Sequence, residues 1–193
     1  LGTKVGQYSV TASSGLLLGS PVTFVGTAVS GAAQMMLLAA GNGQSGVVKT
    51  SLVQPMVVTV LDSSGNAVSG SGVHFAFGTV PTDAVAQVLS DTLVATDVNG
   101  QAMTHLSLGT KAGVYTVMAS SGSLLGSPQV FTATALAGAA AFVNLPSGTS
   151  LNGQVGTTIS PAFVVAVSDT FGNLISGANV RLAMTTSPSG AVG

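Results

Sequence analysis

Residues 1–33, LGTKVGQYSVTASSGLLLGSPVTFVGTAVSGAA, return at 108–140 as LGTKAGVYTVMASSGSLLGSPQVFTATALAGAA. Tyr8 falls on Tyr115, Pro21 on Pro128 and Phe24 on Phe131, a shift of 107 residues. The same shift carries Asp62 to Asp169, Gly65-Asn66 to Gly172-Asn173 and Gly70 to Gly177. Two separate blocks that obey one shift mean tandem duplication, and an internal period narrows the folds open to a chain more than any other feature. Pro55 and Pro161 stand one residue out of step, so a one-residue length change lies close to them.

The frame of the repeat sets the expected domains. Residues 33–138 hold one complete unit, 1–32 the C-terminal part of a preceding unit, and 139–193 the N-terminal part of a following one. Laid on one period, the two end pieces still lack the part equivalent to 87–107, so together they would not make a whole domain.

Within the complete unit the pattern is that of strands. Met56, Val58 and Val60 share one face, as do their equivalents Phe163, Val165 and Val167. The opposite face, Val57, Thr59 and Leu61 against Val164, Ala166 and Ser168, is expected to be less strictly buried. Ser63-Ser64-Gly65-Asn66 reads as a turn, because Gly and Asn tolerate positive φ. Val73, Phe75 and Phe77 alternate with His74 and Ala76, and Arg181 in place of His74 puts that position in solvent. Further strands are expected at Met35–Ala40, Val85–Leu89, Leu93–Thr96, Ala102–Leu108, Gly113–Ala119 and Gln129–Leu136, with Asp97-Val98-Asn99-Gly100 as a tight turn. About seven short strands at this spacing, without an amphipathic helix, predict an all-β Greek-key β-sandwich.

Charge is where the chain departs from an ordinary soluble domain. Only 5% of its residues are charged, against roughly 25% usually. There is no Glu, and positive charge rests on Lys4, Lys49, Lys111 and Arg181. No basic patch can hold nucleic acid phosphates or an anionic membrane surface, so nucleic acid is excluded as a partner. No apolar run approaches the roughly 20 residues of a membrane helix, which excludes membrane insertion by this segment. Gly and Ser replace the missing charge, yet 46% of residues are apolar and alternate with polar ones, so the chain is folded rather than linker. With no Cys there can be no disulfide, thiolate metal site or cysteine nucleophile.

Four pieces in order carry a resemblance: P-x-V-V-x-V-x-D-x-x-G-N-x-V-x-G at 55–70, T-D-x-N-G-x-A at 96–102, G-T-x-A-G-x-Y-x-V-x-A at 109–119 and G-S-P-x-x-F-T-A-T-A at 126–135. Together they resemble the bacterial Ig-like (Big-1) repeats of intimin- and invasin-type surface proteins. That resemblance implies tandem immunoglobulin-like Greek-key sandwiches of seven strands, extracellular or cell-surface display, and use as a spacer in rod-like arrays. The near absence of charge is extreme beside such repeats. Tyr115 stands where a tyrosine corner would bond nearby backbone, and Val117 where antibody domains carry their second Cys.

Reactive chemistry finds little material. A nucleophilic Ser or Thr needs a base, and only His74 and His105 exist, neither repeated. Asp62, Asp97 and Asp169 sit beside turn glycines, where capping the turn backbone explains them better than paired-carboxylate catalysis. Asp97 and Asn99 offer oxygen ligands, but Ca²⁺ takes 6–8 of them. A Lys–Asn crosslink would need a buried Lys, for which Lys49 is the candidate. The glycine-rich run Gly41–Gly46 lacks the context of a phosphate cradle and reads as a loop. Catalytic, cofactor-binding and metal residues are therefore expected to be none, with no enzyme activity and no cofactor.

The expected function is structural: an extracellular segment building a cell-surface stalk or a self-associating filament or sheath by end-to-end stacking. Short linkers at Val29–Gln34 and Leu136–Ala141 would limit bending. Its partners are copies of itself, packed head to tail or laterally through weakly charged surfaces. Two other readings stay open. One is a host receptor- or glycan-binding adhesin module, for which Phe171 is the aromatic to consider. The other is an accessory domain of a secreted enzyme.

Overall fold

The computed structural model describes residues 2–146 and 150–190; Leu1, 147–149 and 191–193, which fall within the expected end pieces, lie outside the described residues. The chain divides into two compact units, Leu1–Leu136 and Ala137–Gly193. No helix occurs among the described residues.

The first unit opens with an antiparallel pair, β1 (Gly6–Ala12) and β2 (Val22–Ala28), in register from Gly6 opposite Ala28 to Ala12 opposite Val22. A β-sandwich follows. One sheet has the order β3-β5-β9, from β3 (Met35–Ala40), β5 (Met56–Leu61) and β9 (Gln101–Thr104). The other has the order β4-β12-β11-β6-β8, from β4 (Gln44–Val47), β6 (Gly72–Phe77), β8 (Leu93–Ala95), β11 (Gly113–Ser120) and β12 (Gln129–Leu136). A short ladder joins β7 (Val88–Leu89) to β10 (Leu106–Ser107). The chain crosses between sheets after β3, β4, β5 and β8 and again between β9 and β11, so sequence neighbours β5 and β6 lie in different layers, as a Greek key requires.

Period-two alternation explains the core. Met56, Val58 and Val60 face inward from β5, Val73 and Phe75 from β6, Tyr115, Val117 and Ala119 from β11, and Phe131, Ala133 and Ala135 from β12, all essentially without exposure. Each large apolar side chain removed from water this way contributes about 1.5–3 kcal/mol. With no disulfide in the chain, this burial is what chiefly holds the two layers together. His74 is exposed, as its exchange for Arg181 requires.

Three local expectations need correction. The run Gly41–Gly46 is not all loop: residues 44–47 form β4, which pairs parallel with β12 through Gln44 opposite Ala133. One Gly and one Val beside Gln and Ser give no strand signal, and the pairing comes from a partner about 90 residues away. Ala102–Leu108 is two strands, broken at His105, whose amide bonds to the Ser90 hydroxyl instead of to a ladder. Val85–Leu89 shortens to Val88–Leu89, because Ala86 takes a positive φ of 61°.

The second unit carries β13 (Phe142–Asn144) and β14 (Ala166–Ser168), paired antiparallel with Val143 opposite Val167. Among the described residues, none of the fourteen strands contains Asp, Lys or Arg; every charged residue sits in a turn or loop.

Candidate functional site

The turn after β5 is where the sequence's repeated Asp-x-x-Gly-Asn becomes geometry. Asp62 accepts at Oδ1 from the amides of Ser64 at 2.8 Å and Asn66 at 2.9 Å, which closes the turn. Gly65 sits at φ 74°, a conformation that a side chain would strain. The Asn66 side-chain amide then donates to Asp62 Oδ2 at 2.9 Å. Both side chains are buried although they sit in a turn.

Their remaining capacity reaches beyond the turn. The amide of Gly31 donates to Asp62 Oδ2 at 2.8 Å, which fastens the segment between β2 and β3. Asn66 donates from Nδ2 to the Thr3 carbonyl at 2.9 Å and accepts at Oδ1 from the Val5 amide at 3.3 Å. The Lys4 ammonium donates to the Ser64 carbonyl at 3.3 Å. One five-residue turn thus holds the loop before β1 and the segment after β2. The donor set holds the Asp62 carboxyl far below the ordinary carboxylate range, led by the Asn66 side-chain amide and the Gly31 amide, against an opposing effect of burial.

The second unit repeats the turn. Asp169 accepts from Phe171 at 2.8 Å and Asn173 at 2.9 Å, and the amide of Gly138 donates to Asp169 Oδ2 at 2.8 Å. Burial alone would raise the Asp169 carboxyl, but the Asn173 side chain and the Gly138, Asn173 and Phe171 amides outweigh it and bring its pKa to about 2.

The other singled-out residues do not converge. Asp97 caps its own turn, accepting from Asn99 at 2.8 Å and Gln101 at 2.9 Å, and the Gln101 amide is the main cause that lowers its pKa. Among the described residues no three His or Asp side chains gather at metal-binding range. Lys49 is exposed, at φ 63°, which removes the buried setting a Lys–Asn crosslink needs. Phe171 is 37% exposed beside Asp169. The Tyr115 hydroxyl donates to the Lys111 carbonyl at 2.8 Å, the tyrosine corner, and burial raises its pKa despite that contact. Tyr8 makes the same bond to Lys4 at 2.8 Å.

Sequence reasoning assigned Asp62 to capping its own turn and did not assign Asn66 a contact with residues 3–5. The available signal was the recurrence of Asp and Asn together, four residues apart, while Ser63-Ser64 between them becomes Thr170-Phe171.

Two sheets of three and five strands, a Greek-key crossing and a tyrosine corner define an immunoglobulin-like sandwich. No family model matches the chain, and no curated protein does. Among solved structures it is similar to FdeC, described as a broadly conserved Escherichia coli adhesin eliciting protection against urinary tract infections. That likeness has a TM-score of 0.55 at 18% identity over 90% of this chain and 53% of the other. It is also similar to InvD of Yersinia pseudotuberculosis (TM-score 0.48, 19% identity, 90% of this chain and 53% of that). The D00-D0 domain of intimin aligns over 67% of this chain and 64% of that one (TM-score 0.41, 18% identity). The chain thus spans about half the length of the FdeC and InvD chains it matches. The FdeC superposition establishes the immunoglobulin-like fold that the sequence predicts.

Proposed function

We propose that this chain is a structural, non-enzymatic segment of an extracellular, cell-surface protein, in which Ig-like repeats stack end to end as a stalk or a self-associating filament or sheath. In this reading residues 1–32 belong to one repeat, 33–138 to the next and 139–193 to a third. The observation that carries it is the recurrence of one capture geometry 107 residues apart. Gly31 bonds to Asp62 and Gly138 to Asp169, each at 2.8 Å. Each copy brings the means to hold the segment leading into it, which a linear array needs at every step.

Association between copies is supported by the uncharged strands. Edge strands are usually protected by Lys or other charge, and β3, β4, β8 and β9 have none. Sedimentation velocity of the 193-residue chain over a wide concentration range tests this. Reversible association that persists in high salt is expected, since no ion pairs hold it. A monomer at every concentration would overturn it.

The described role of FdeC as an adhesin favours a second reading, a module that binds a host receptor or glycan. Specific retention of the chain on a glycan array would favour that reading over a passive spacer.

A further inference from the structure

Repeats that follow one another along a chain still need something to set the angle between them. The Asp62 turn supplies it. Ordinary turn capping would leave Asn66 in solvent, facing nothing. Instead Asn66 is 7% exposed, with its amide group divided between Asp62 and the backbone of residues 3 and 5. Its carbonyl oxygen meets an N–H and its amino group meets a C=O, so the loop is read in one orientation only.

We infer that the turn Asp62–Asn66 is a socket for the Thr3-Lys4-Val5 backbone, and that it fixes the direction of the β1–β2 pair relative to the β3–β12 sandwich. This rests on the array reading above, in which β1–β2 belongs to the preceding repeat. Three features make it a socket rather than a chance contact. It uses main-chain atoms of residues 3 and 5, so the side chains there are free to change. Asp62 accepts from the side-chain amide of buried Asn66, which would otherwise keep an unmet donor, and from the Gly31 amide as well. The two anchor points, residues 3–5 and residue 31, lie before and after the strand pair, so rotation about either one is opposed by the other.

Asn66 and Asp62 are thus positioning residues, and the readout must be an angle. The chain has no Cys, so nitroxide labels can be placed cleanly at Ser9→Cys on β1 and Thr134→Cys on β12, both exposed. Pulsed electron spin resonance on the full 193-residue chain should show one narrow distance peak. Asn66→Ala should broaden it and, because it also takes a donor from the buried Asp62 carboxylate, lower the thermal midpoint of the sandwich. Val5→Pro removes the donating amide from the other side without touching the sandwich, and should broaden it equally. Thr3→Ala keeps the carbonyl and should leave the peak narrow. A broad distribution in the unsubstituted chain, or a narrow one in both Asn66→Ala and Val5→Pro, would overturn the socket. A broad peak with association intact sinks the socket alone, whereas a narrow peak in a chain that never associates sinks the self-association.

Discussion

Asn66 donates its side-chain amide to the Asp62 carboxylate at 2.9 Å, and 107 residues later Asn173 does the same to Asp169 at 2.8 Å. A buried carboxylate is expensive unless every lone pair is met. Here the partners are amides rather than a cation, so the charge is held by dipoles alone. This suits a chain with so few basic residues, because the turn needs no Lys or Arg to be buried with it.

That arrangement makes acid the natural probe. Both carboxyls titrate below the ordinary value of 3.8, Asp169 at about 2 and Asp62 lower still. A folded pKa below the unfolded one means stability that is complete above about pH 4 and lost as pH falls through the folded value. Carbon-13 spectra of the Asp side chains should place Asp169 near 2, and thermal midpoints should fall between pH 4 and pH 2. A midpoint near 3.8 for either carboxyl would contradict the geometry.

Phe131 and Phe24 occupy the same place in the repeat but not in space. Phe131 is fully buried and Phe24 is 62% exposed. Phe131→Ala should therefore cost about 3–5 kcal/mol in denaturant unfolding. Phe24→Ala should change it by no more than about 0.5 kcal/mol, as for exposed sites generally. Equal costs would show that the face of β2 is covered in solution.

Tyr115→Phe keeps the ring and deletes the hydroxyl that donates to the Lys111 carbonyl and also meets the Gly109 amide. A loss of about 0.5–1.5 kcal/mol is expected for each hydrogen bond of this kind. No change in the denaturation midpoint would mean that the corner is not energetically coupled to the sandwich.

Gly100 follows Asp97-Val98-Asn99 at φ 72°, and a Cβ there would lie 2.6 Å from the Val60 carbonyl oxygen. Gly100→Ala combines a disfavoured backbone with a backbone clash and should destabilise the sandwich by about 1–3 kcal/mol. Gly70, at φ 78° with open space around its Cβ position, separates the two effects: Gly70→Ala should cost less. A reversed order, read from urea midpoints, would contradict the packing around Val60.

Much of this molecule could be read directly from its residues. Alternation in 56–60, 73–77 and 113–119 depends on neighbours one and two residues away, so those strands and their buried faces were legible. Duplication was legible because Asp62, Asn66 and Tyr8 have counterparts at one shift. What escaped was long-range. Gln44–Val47 is a strand only because β12 offers it a ladder, and Asn66 leaves solvent only because Thr3 and Val5 arrive from more than 60 residues away. Local patterns set by steric and solvent preferences are written within a few residues, whereas which turn receives which distant backbone is decided when the sheets pack and bring their loops together.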